Sequence, residues 1–280
     1  MNFLTAALLG LIQGVAEFLP ISSSGHLSLI QNFFGLRTAE NTSLFFDVLL
    51  HLGTLVAVCI AYWSDIRGMV LEFIAMCREV AGARSSRPTP QAQSLRRLIL
   101  LLIVGTLPLF LVLPIQDQVE TLYSNTWFIG GALIVTGFLL FWSDRMARGS
   151  KNARTMTLLE AVGVGLSQAV ATVPGLSRSG TTIATGMLLG LDRNFAVRYS
   201  FLLSLPAVLG ANILTLIDAV QQGIDWSMMP VYLVGVCVAA MSGYFCIGVV
   251  KKLSDKGKFG KFAYYCWGVG LVALILSAVL

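Results

Sequence analysis

Charged residues are scarce in this sequence, and their scarcity excludes an ordinary soluble protein. Asp, Glu, Lys and Arg make up 12% of the 280 residues, against about 25% in soluble domains. Hydrophobic residues make up 56% and cluster in runs close to the roughly 20 residues that span a bilayer. These runs cover residues 45–63, 98–115, 127–142, 200–217, 229–250 and 262–280. We therefore predict an all-α, multi-pass (polytopic) membrane protein.

Cysteine is also sparse, and a signal peptide is not indicated. The five cysteines lie at positions 59, 77, 237, 246 and 266 without metal-ligand spacing, and four of them fall in apolar runs. Packing is therefore their expected role, rather than disulfide bonding or zinc binding. Because the first residues lack a cationic region and a small-residue cleavage site, we expect residues 3–12 to belong to the mature fold.

Lys and Arg are absent from two loops, and this absence predicts the orientation. Residues 116–126 and 218–228 contain none, whereas basic residues concentrate in 64–97, 143–157 and 251–261. By the positive-inside rule, the first two loops are outside and the last three are cytoplasmic. The net charge of +5 is thus explained by topology, and we expect no nucleic-acid partner.

Two segments then begin and end on the same side of the membrane. Segment 158–191 starts and finishes in the cytoplasm, and segment 3–36 starts and finishes outside, followed by the outer loop 37–44. Each segment contains two short apolar pieces separated by a polar break with Gly and Pro. We therefore predict two re-entrant helical hairpins that enter from opposite faces, with both termini extracytoplasmic.

The sequence repeats itself across these two hairpins. A shift of 155 residues gives ten identities over residues 10–36, against about three expected from membrane-helix composition. Because inverted repeats place their site where broken helices meet, we expect residues 13–26 and 168–182 to face each other near the membrane midplane.

The repeat also predicts the architecture. We expect a single membrane domain, residues 1–280, made of repeat unit 1 (1–142), a cytoplasmic loop (143–157) and repeat unit 2 (158–280). Each unit is one re-entrant hairpin plus three transmembrane helices. An odd number of spans per unit inverts the second unit relative to the first, which is an inverted-topology repeat.

Arg178 is the only Lys or Arg that we expect at membrane depth, where an ionisable group is costly and usually functional. A guanidinium flanked by hydroxyl side chains at the start of a helix is suited to phosphate oxygens. We assign phosphate binding to Arg178 and to the hydroxyls of Ser177, Ser179, Thr182, Ser22 and Ser24. The alternative is that Arg178 pairs with Glu17 merely to hold the hairpins together.

Glu17 follows Gln13 by one helical turn, so both side-chain oxygens can point the same way. A carboxylate and an amide oxygen beside a phosphate site suit a hard divalent cation, Mg²⁺ or Ca²⁺, whose other ligands are water and substrate. The alternative is a glutamate that binds and releases protons in a transporter, and the residues leave both open. Glu160, in contrast, lies in the first turn of a helix, which it is expected to stabilise.

Further polar side chains lie close to the first break. His26 follows the serine turn and is a candidate nucleophile or general acid/base. Ser23 occupies the repeat position of Arg178 and is an alternative nucleophile or a hydrogen-bond partner of His26. Asp47 and His51 share a helix face, which is equally consistent with support of the site and with a surface pair.

At these residues the sequence resembles the undecaprenyl-diphosphate phosphatases, also called bacitracin-resistance proteins. That family has a (Glu/Gln)-x-x-x-Glu motif, which here is Gln13-Gly-Val-Ala-Glu17 and continues into Phe-Leu-Pro-Ile-Ser-Ser-Ser-Gly-His26. It also has a Pro-Gly-x-Ser-Arg-Ser-x-x-Thr motif, which is complete at residues 174–182. Length and hydropathy agree over essentially the whole chain.

The resemblance implies hydrolysis of undecaprenyl diphosphate to undecaprenyl phosphate and inorganic phosphate, which recycles the carrier lipid for cell-wall synthesis. It implies a metal-dependent site open to the outer face of the bacterial plasma (inner) membrane. Glu17 would be catalytic and metal-linked, with Gln13 beside it. Ser23 and His26 would be catalytic, and Arg178 would bind phosphate. Gln13 supplies one carboxylate fewer than the Glu form of the motif, which weakens the expected hold on the metal.

A polyprenyl-phosphate flippase or secondary transporter is the alternative from a different class, since inverted repeats with broken helices are typical of transporters. His26 and the complete set of Arg178 with its flanking serines favour the enzyme, because a carrier needs an anion-binding site but no nucleophile. The expected partners are a polyprenyl diphosphate lipid and membrane lipids. A homodimer is one arrangement that the sequence leaves open.

Overall fold

The computed structural model describes residues 1–34, 44–82, 88–146 and 149–279, and its regular structure is helical apart from one isolated bridge between Lys151 and Leu191. The first helices are α1 (Phe3–Phe18), α2 (Ser23–Phe34), α3 (Leu44–Ala61), α4 (Trp63–Val80), α5 (Pro90–Thr106) and α6 (Gln116–Thr121). They are followed by α7 (Thr126–Met146), α8 (Leu158–Val170), α9 (Arg178–Leu188), α10 (Arg193–Gln222), α11 (Met229–Asp255) and α12 (Lys261–Val279). Short 3₁₀ turns lie at Leu107–Leu111, Leu113–Ile115, Leu122–Ser124 and Trp226–Met228.

Six of the described helical segments are long and apolar enough to cross a membrane. They are Leu44–Ala61, Pro90–Ser124, Thr126–Met146, Arg193–Gln221, Trp226–Asp255 and Lys261–Val279. Large apolar side chains on them, among them Phe245 and Leu271, are exposed, as contact with lipid requires. The prediction of an all-α, multi-pass membrane protein is confirmed. The helices α1 and α8 are apolar but shorter.

The predicted basic loop 64–97 contains helical structure that the charge pattern did not predict. It contains α4 and the first turns of α5, and α4 is not among the six candidate spans. The two helices are joined by Arg96, whose guanidinium donates to Glu72 at 3.0 Å and to Glu79 at 2.6 Å. Charged side chains on α4 therefore pair with α5.

Some predicted positions lie outside the described residues. They include most of the outer loop 37–44, the repeat positions 35 and 36, and residues 83–87 and 147–148 of the two basic loops.

Side-chain caps mark where several helices begin. The Asn2 side chain accepts the Thr5 N–H at 2.8 Å at the start of α1. Thr157 and Glu160 form a reciprocal capping box on α8, and Asp192 caps α10. The expected structural role of Glu160 is confirmed.

Two close helix crossings bring the short helices α1 and α8 against long neighbours. A Cβ atom at Gly10 of α1 would overlap the carbonyl oxygen of Gly235 in α11. A Cβ atom at Gly165 of α8 would likewise overlap the carbonyl oxygen of Gly105 in α5. Gly10 and Gly165 occupy the same position of the sequence repeat. Small residues allow this approach of helix backbones within a membrane.

We expect Gly165→Ala to lower the midpoint of thermal unfolding in detergent, because the new methyl group meets backbone that cannot move aside. Overpacking of this kind costs about 1–3 kcal/mol. Gly131→Ala in α7 is the matched control, since a Cβ atom there has no atom within 4 Å in the described structure. Equal unfolding midpoints for the two variants would contradict the close crossing.

Candidate functional site

Two breaks between short helices lie at the centre of the site. Helix α1 ends at Phe18, before Pro20, and α2 begins at Ser23. Helix α8 ends at Val170, before Pro174, and α9 begins at Arg178. The residue that precedes a proline is disfavoured in helical conformation, which explains why α1 stops before Leu19. Helix α8 stops earlier than this rule requires, and Pro174 prevents it from resuming.

The two breaks are closed by the same hydrogen bonds. Ser22 Oγ accepts the Gly25 N–H at 3.2 Å, and Ser177 Oγ accepts the Gly180 N–H at 3.1 Å. These serines occupy the same position of the repeat. They differ in backbone conformation, because Ser22 has a left-handed φ of 69°, which is strained for a residue other than glycine.

The breaks also contact each other reciprocally. A Cβ atom at Gly25 of α2 would lie 2.8 Å from Gly175 in the second break, and one at Gly180 of α9 would lie 3.0 Å from Pro20 in the first. Pro20 and Gly175 are repeat equivalents, as are Gly25 and Gly180. Each second helix therefore packs against the break of the other hairpin.

An ion pair joins α9 to α1. The guanidinium of Arg178, at the start of α9, donates to the carboxylate of Glu17 near the end of α1. Glu17 also accepts from Ser23 Oγ at 3.2 Å and from Gln13 Nε2 at 3.3 Å. A buried carboxylate requires such partners, and its side chain here is only 8% exposed. The pairing considered as an alternative from the sequence is therefore present.

Glu17, Ser23 and Arg178 line a cavity of about 360 Å³. The other polar residues in its wall are Ser22, Ser24, Asp47, His51, Tyr123, Gln168, Thr172, Ser177, Asn212 and Thr215. Arg178 is the only Lys or Arg among these lining residues. A smaller cavity of about 300 Å³ has Gln13, Asp47 and His51 in its wall, together with three serines, Tyr123 and apolar side chains. The size of the main cavity is typical of a ligand site, and its many polar groups favour a polar ligand.

The two histidines differ in where they lie. His51 and Asp47, whose role the sequence left open, both line the cavity. His26 is not among the described lining residues. Its ring stacks on Tyr265, with Nε2 2.9 Å from the Tyr265 hydroxyl, and its Nδ1 lies 2.8 Å from the carbonyl oxygen of Ser22. His26 therefore supports the strained serine turn, and its direct part in chemistry stays a prediction.

The residues of the second break that were predicted to bind phosphate fall into two groups, those that line the cavity and those that support them. Ser177 and Arg178 line the main cavity. Ser179 and Thr182 are buried behind them, and the Thr182 hydroxyl lies 2.5 Å from that of Ser200 in α10. This contact ties the first turn of α9 to α10 and so holds Arg178 in place.

Sequence reasoning missed several polar residues of the site. Thr136 of α7 is fully buried, donates to the carbonyl of Gly175 at 3.1 Å and accepts the Ser177 N–H at 3.3 Å, which anchors the second break. Gln168 and Asn212 line the cavity. Gln168 was visible only as a repeat identity with Gln13, and the other two only as polar residues within apolar runs.

Comparison with known proteins identifies the family. The family model described as "Bacitracin resistance protein BacA" matches residues 6–272. A protein named "Undecaprenyl-diphosphatase" from Halothermothrix orenii is 38% identical over 280 residues, covering 100% of each chain. One of the same name from Methanosphaera stadtmanae is 39% identical over 286 residues, again covering 100% of both. A third, from Carboxydothermus hydrogenoformans, is 40% identical and covers 99% of this chain and 98% of its own. The chain belongs to the bacitracin resistance protein BacA family.

Proposed function

We infer that this membrane protein hydrolyses undecaprenyl diphosphate to undecaprenyl phosphate and inorganic phosphate. The observation that carries the inference is the meeting of Glu17, Ser23 and Arg178 from two hairpins in the wall of one cavity. The relatives covering the full length carry the name of this activity. The product is the carrier lipid for cell-wall synthesis.

In this proposal the diphosphate occupies the cavity, and Arg178 binds the oxygens of the terminal phosphoryl group. A guanidinium can hold two phosphate oxygens at once and offsets the charge that spreads over them during transfer. Ser177 and the serines of the first break supply neutral donors. Ser179 and Thr182 act by holding the helix that carries Arg178.

Ser23 is the nucleophile that the geometry supports best, because its hydroxyl lines the cavity and donates to Glu17. Ser23 Oγ forms a bond to the terminal phosphorus, and the bond from that phosphorus to the bridging oxygen breaks. The hydroxyl proton passes to Glu17, and undecaprenyl phosphate leaves. Water then attacks the phosphorus of the phosphoserine, and the bond from that phosphorus to Ser23 Oγ breaks. The proton held by Glu17 returns to Ser23 Oγ, and inorganic phosphate leaves with the protons of the water. Attack by His26 or directly by water are the competing routes.

The donor set fits a hard divalent cation, Mg²⁺ or Ca²⁺. The described residues include no group of three or more His, Cys, Asp or Glu side chains able to hold a metal by themselves. Glu17 and Gln13 would instead provide a carboxylate and an amide oxygen, with water and substrate phosphate completing the shell. When bound, the cation neutralises charge on the phosphoryl group. Asp47 lies in the walls of both cavities, whereas Glu17 lies in the wall of the larger one.

The inverted repeat remains part of the proposal. It is supported by the reciprocal contacts of Gly25 with Gly175 and of Gly180 with Pro20, which a twofold relation between the hairpins would generate. The matching crossings of α1 with α11 and of α8 with α5 support the same relation. The main core includes side chains from both halves, which supports a single membrane domain.

An opening toward the outer face is supported by two residues of the cavity wall. Tyr123 belongs to the loop 116–126, and Thr215 lies near the start of 218–228. Both loops lack Lys and Arg, so the positive-inside rule assigns them to the outside, together with both termini.

Phosphate release from farnesyl diphosphate by the purified protein in detergent tests the proposal. Detergent abolishes transport but leaves hydrolysis, so release separates an enzyme from the flippase or transporter, which the comparisons do not favour. Absence of release under conditions where the protein remains folded would contradict the proposed function.

Removal of divalent cations is expected to lower this activity by at least about tenfold, because charge neutralisation by a metal contributes several kcal/mol to such reactions. The measurement compares phosphate release with EDTA, and after Mg²⁺ or Ca²⁺ is added back. An unfolding midpoint unchanged by EDTA serves as the control for folding. Full activity in EDTA would overturn the metal assignment.

A further inference from the structure

Two buried amides in the cavity wall lack hydrogen-bond partners. Both polar atoms of the Gln168 side chain and the Nδ2 of Asn212 are enclosed and unpaired in the described structure. The other residues with such atoms are Tyr62, Thr181, Arg198 and Ser254, and none of these lines the main cavity. Buried polar groups are normally paired, so each exception requires an explanation.

The repeat explains why Gln168 is left unpaired. Its equivalent, Gln13, donates to Glu17 one helical turn later. The residue one turn after Gln168 is Thr172, whose hydroxyl donates to the carbonyl of Ala169 at 2.8 Å. The second repeat thus has the amide but no carboxylate to bind it. An unpaired amide destabilises the folded protein, and a ligand that accepts hydrogen bonds would compensate this loss.

Asn212 also lines the cavity, and its neighbours indicate which part of the ligand lies beside it. It shares one face of α10 with Ala207, Val208 and Ala211, and these four residues line the cavity together with Leu109. The Asn212 amide therefore borders the most apolar part of the wall. The terminal side-chain torsions of Gln and Asn are soft, so that both amides can turn N–H groups toward a ligand.

We propose that Gln168 and Asn212 bind the prenyl-linked phosphate, the group that stays on the lipid when the terminal phosphate is removed. The proposal rests on the proposed function. The ligand is anionic and accepts hydrogen bonds at the amides, and its chain begins beside the apolar wall. Arg178 and Ser23 hold the terminal phosphate, so the two phosphates are bound by different residues.

The test uses the full-length protein in detergent with Gln168→Met and Asn212→Leu, which replace each amide by an apolar group of similar size. Inhibition constants are measured for farnesyl monophosphate and for inorganic phosphate, together with KM for farnesyl diphosphate and the unfolding midpoint. We expect each variant to raise KM for farnesyl diphosphate and the inhibition constant for farnesyl monophosphate about tenfold. The inhibition constant for inorganic phosphate should stay unchanged. The unfolding midpoint should stay the same or rise, since an unpaired buried group is removed.

Ser254→Ala is the matched control, because it also removes a buried unpaired polar atom but lies outside the cavity wall. It should leave both inhibition constants unchanged. The proposal would be overturned if the inhibition constant for farnesyl monophosphate were unchanged in both cavity variants. It would also be overturned if only the inhibition constant for inorganic phosphate rose.

If Gln168→Met does not fold, Gln168→Glu places a carboxylate in the same volume and should weaken farnesyl monophosphate binding further. Direct binding of the monophosphate can be measured even if no hydrolysis occurs, which separates this proposal from the proposed function.

Discussion

Arg178→Ala is expected to lower kcat/KM for farnesyl diphosphate by about a thousandfold, the range seen when a transition-state arginine is removed from a phosphoryl-transfer site. Arg178 is the only Lys or Arg among the described residues that line the cavity. No other full positive charge of the wall would replace it beside the terminal phosphate. Phosphate release under steady-state conditions measures the change.

The same substitution also affects stability, and a second variant separates the two effects. Loss of Arg178 leaves Glu17 as an uncompensated buried charge, which costs about 3–5 kcal/mol. Arg178→Lys retains the charge but not the planar pair of donors, so we expect near-normal stability and a loss of about 10–100-fold in kcat/KM. Arg154→Ala is the control, because the partner of that exposed guanidinium among the described residues is the backbone oxygen of Pro90, outside the site. Near-normal turnover by Arg178→Ala would show that the ion pair with Glu17 is purely structural.

Ser23→Ala is expected to abolish a phosphorylated enzyme intermediate and to reduce kcat by about a millionfold, the loss measured when a serine nucleophile is removed from a hydrolase. The physical reason is that the Ser23 hydroxyl alone among the groups bound to Glu17 can accept a phosphoryl group. A prenyl diphosphate labelled in its terminal phosphate is mixed with enzyme and quenched within milliseconds. Label on the wild-type protein that survives acid and is lost in alkali identifies phosphoserine.

The outcome discriminates among the three routes. Acid-labile label that disappears in His26→Gln would assign the chemistry to His26 instead. Turnover without any label would assign it to direct attack by water. Ser143→Ala controls for the loss of a buried serine elsewhere, since that hydroxyl donates to the carbonyl of Leu140 in α7, away from the cavity in the described structure.

The histidines show where sequence reasoning reached its limit. The sequence places His26 directly after a serine turn, and the resemblance to the family implied a catalytic role for this residue. Spacing also put Asp47 and His51 on one helix face but left open what that face contacts. In the fold His26 binds Tyr265, far away in the sequence, whereas His51 lies in the cavity wall. Helical periodicity fixes which residues share a face, but it contains no information about which distant helix packs there.

The basic segment after α3 shows a different limit. Charge identified it as a non-spanning connection, and none of the six candidate spans includes α4. It is helical, and Arg96 of α5 pairs with its Glu72 and Glu79. Local hydropathy gives no information about ion pairs between side chains so far apart in the sequence.

By itself, the sequence determined that this is a helical membrane protein of the BacA family with two related polar breaks. Scarce charge and long apolar runs place much of the chain in lipid, where the backbone can form hydrogen bonds only within the protein, as in a helix. The two motifs are long enough to be specific for the family. Only the tertiary structure decided that Arg178 of α9 pairs with Glu17 of α1, which also accepts from Ser23, and that Gln168 lacks the partner that Gln13 has. The ion pair joins residues 161 positions apart. Such packing follows from shape and burial rather than from local sequence pattern.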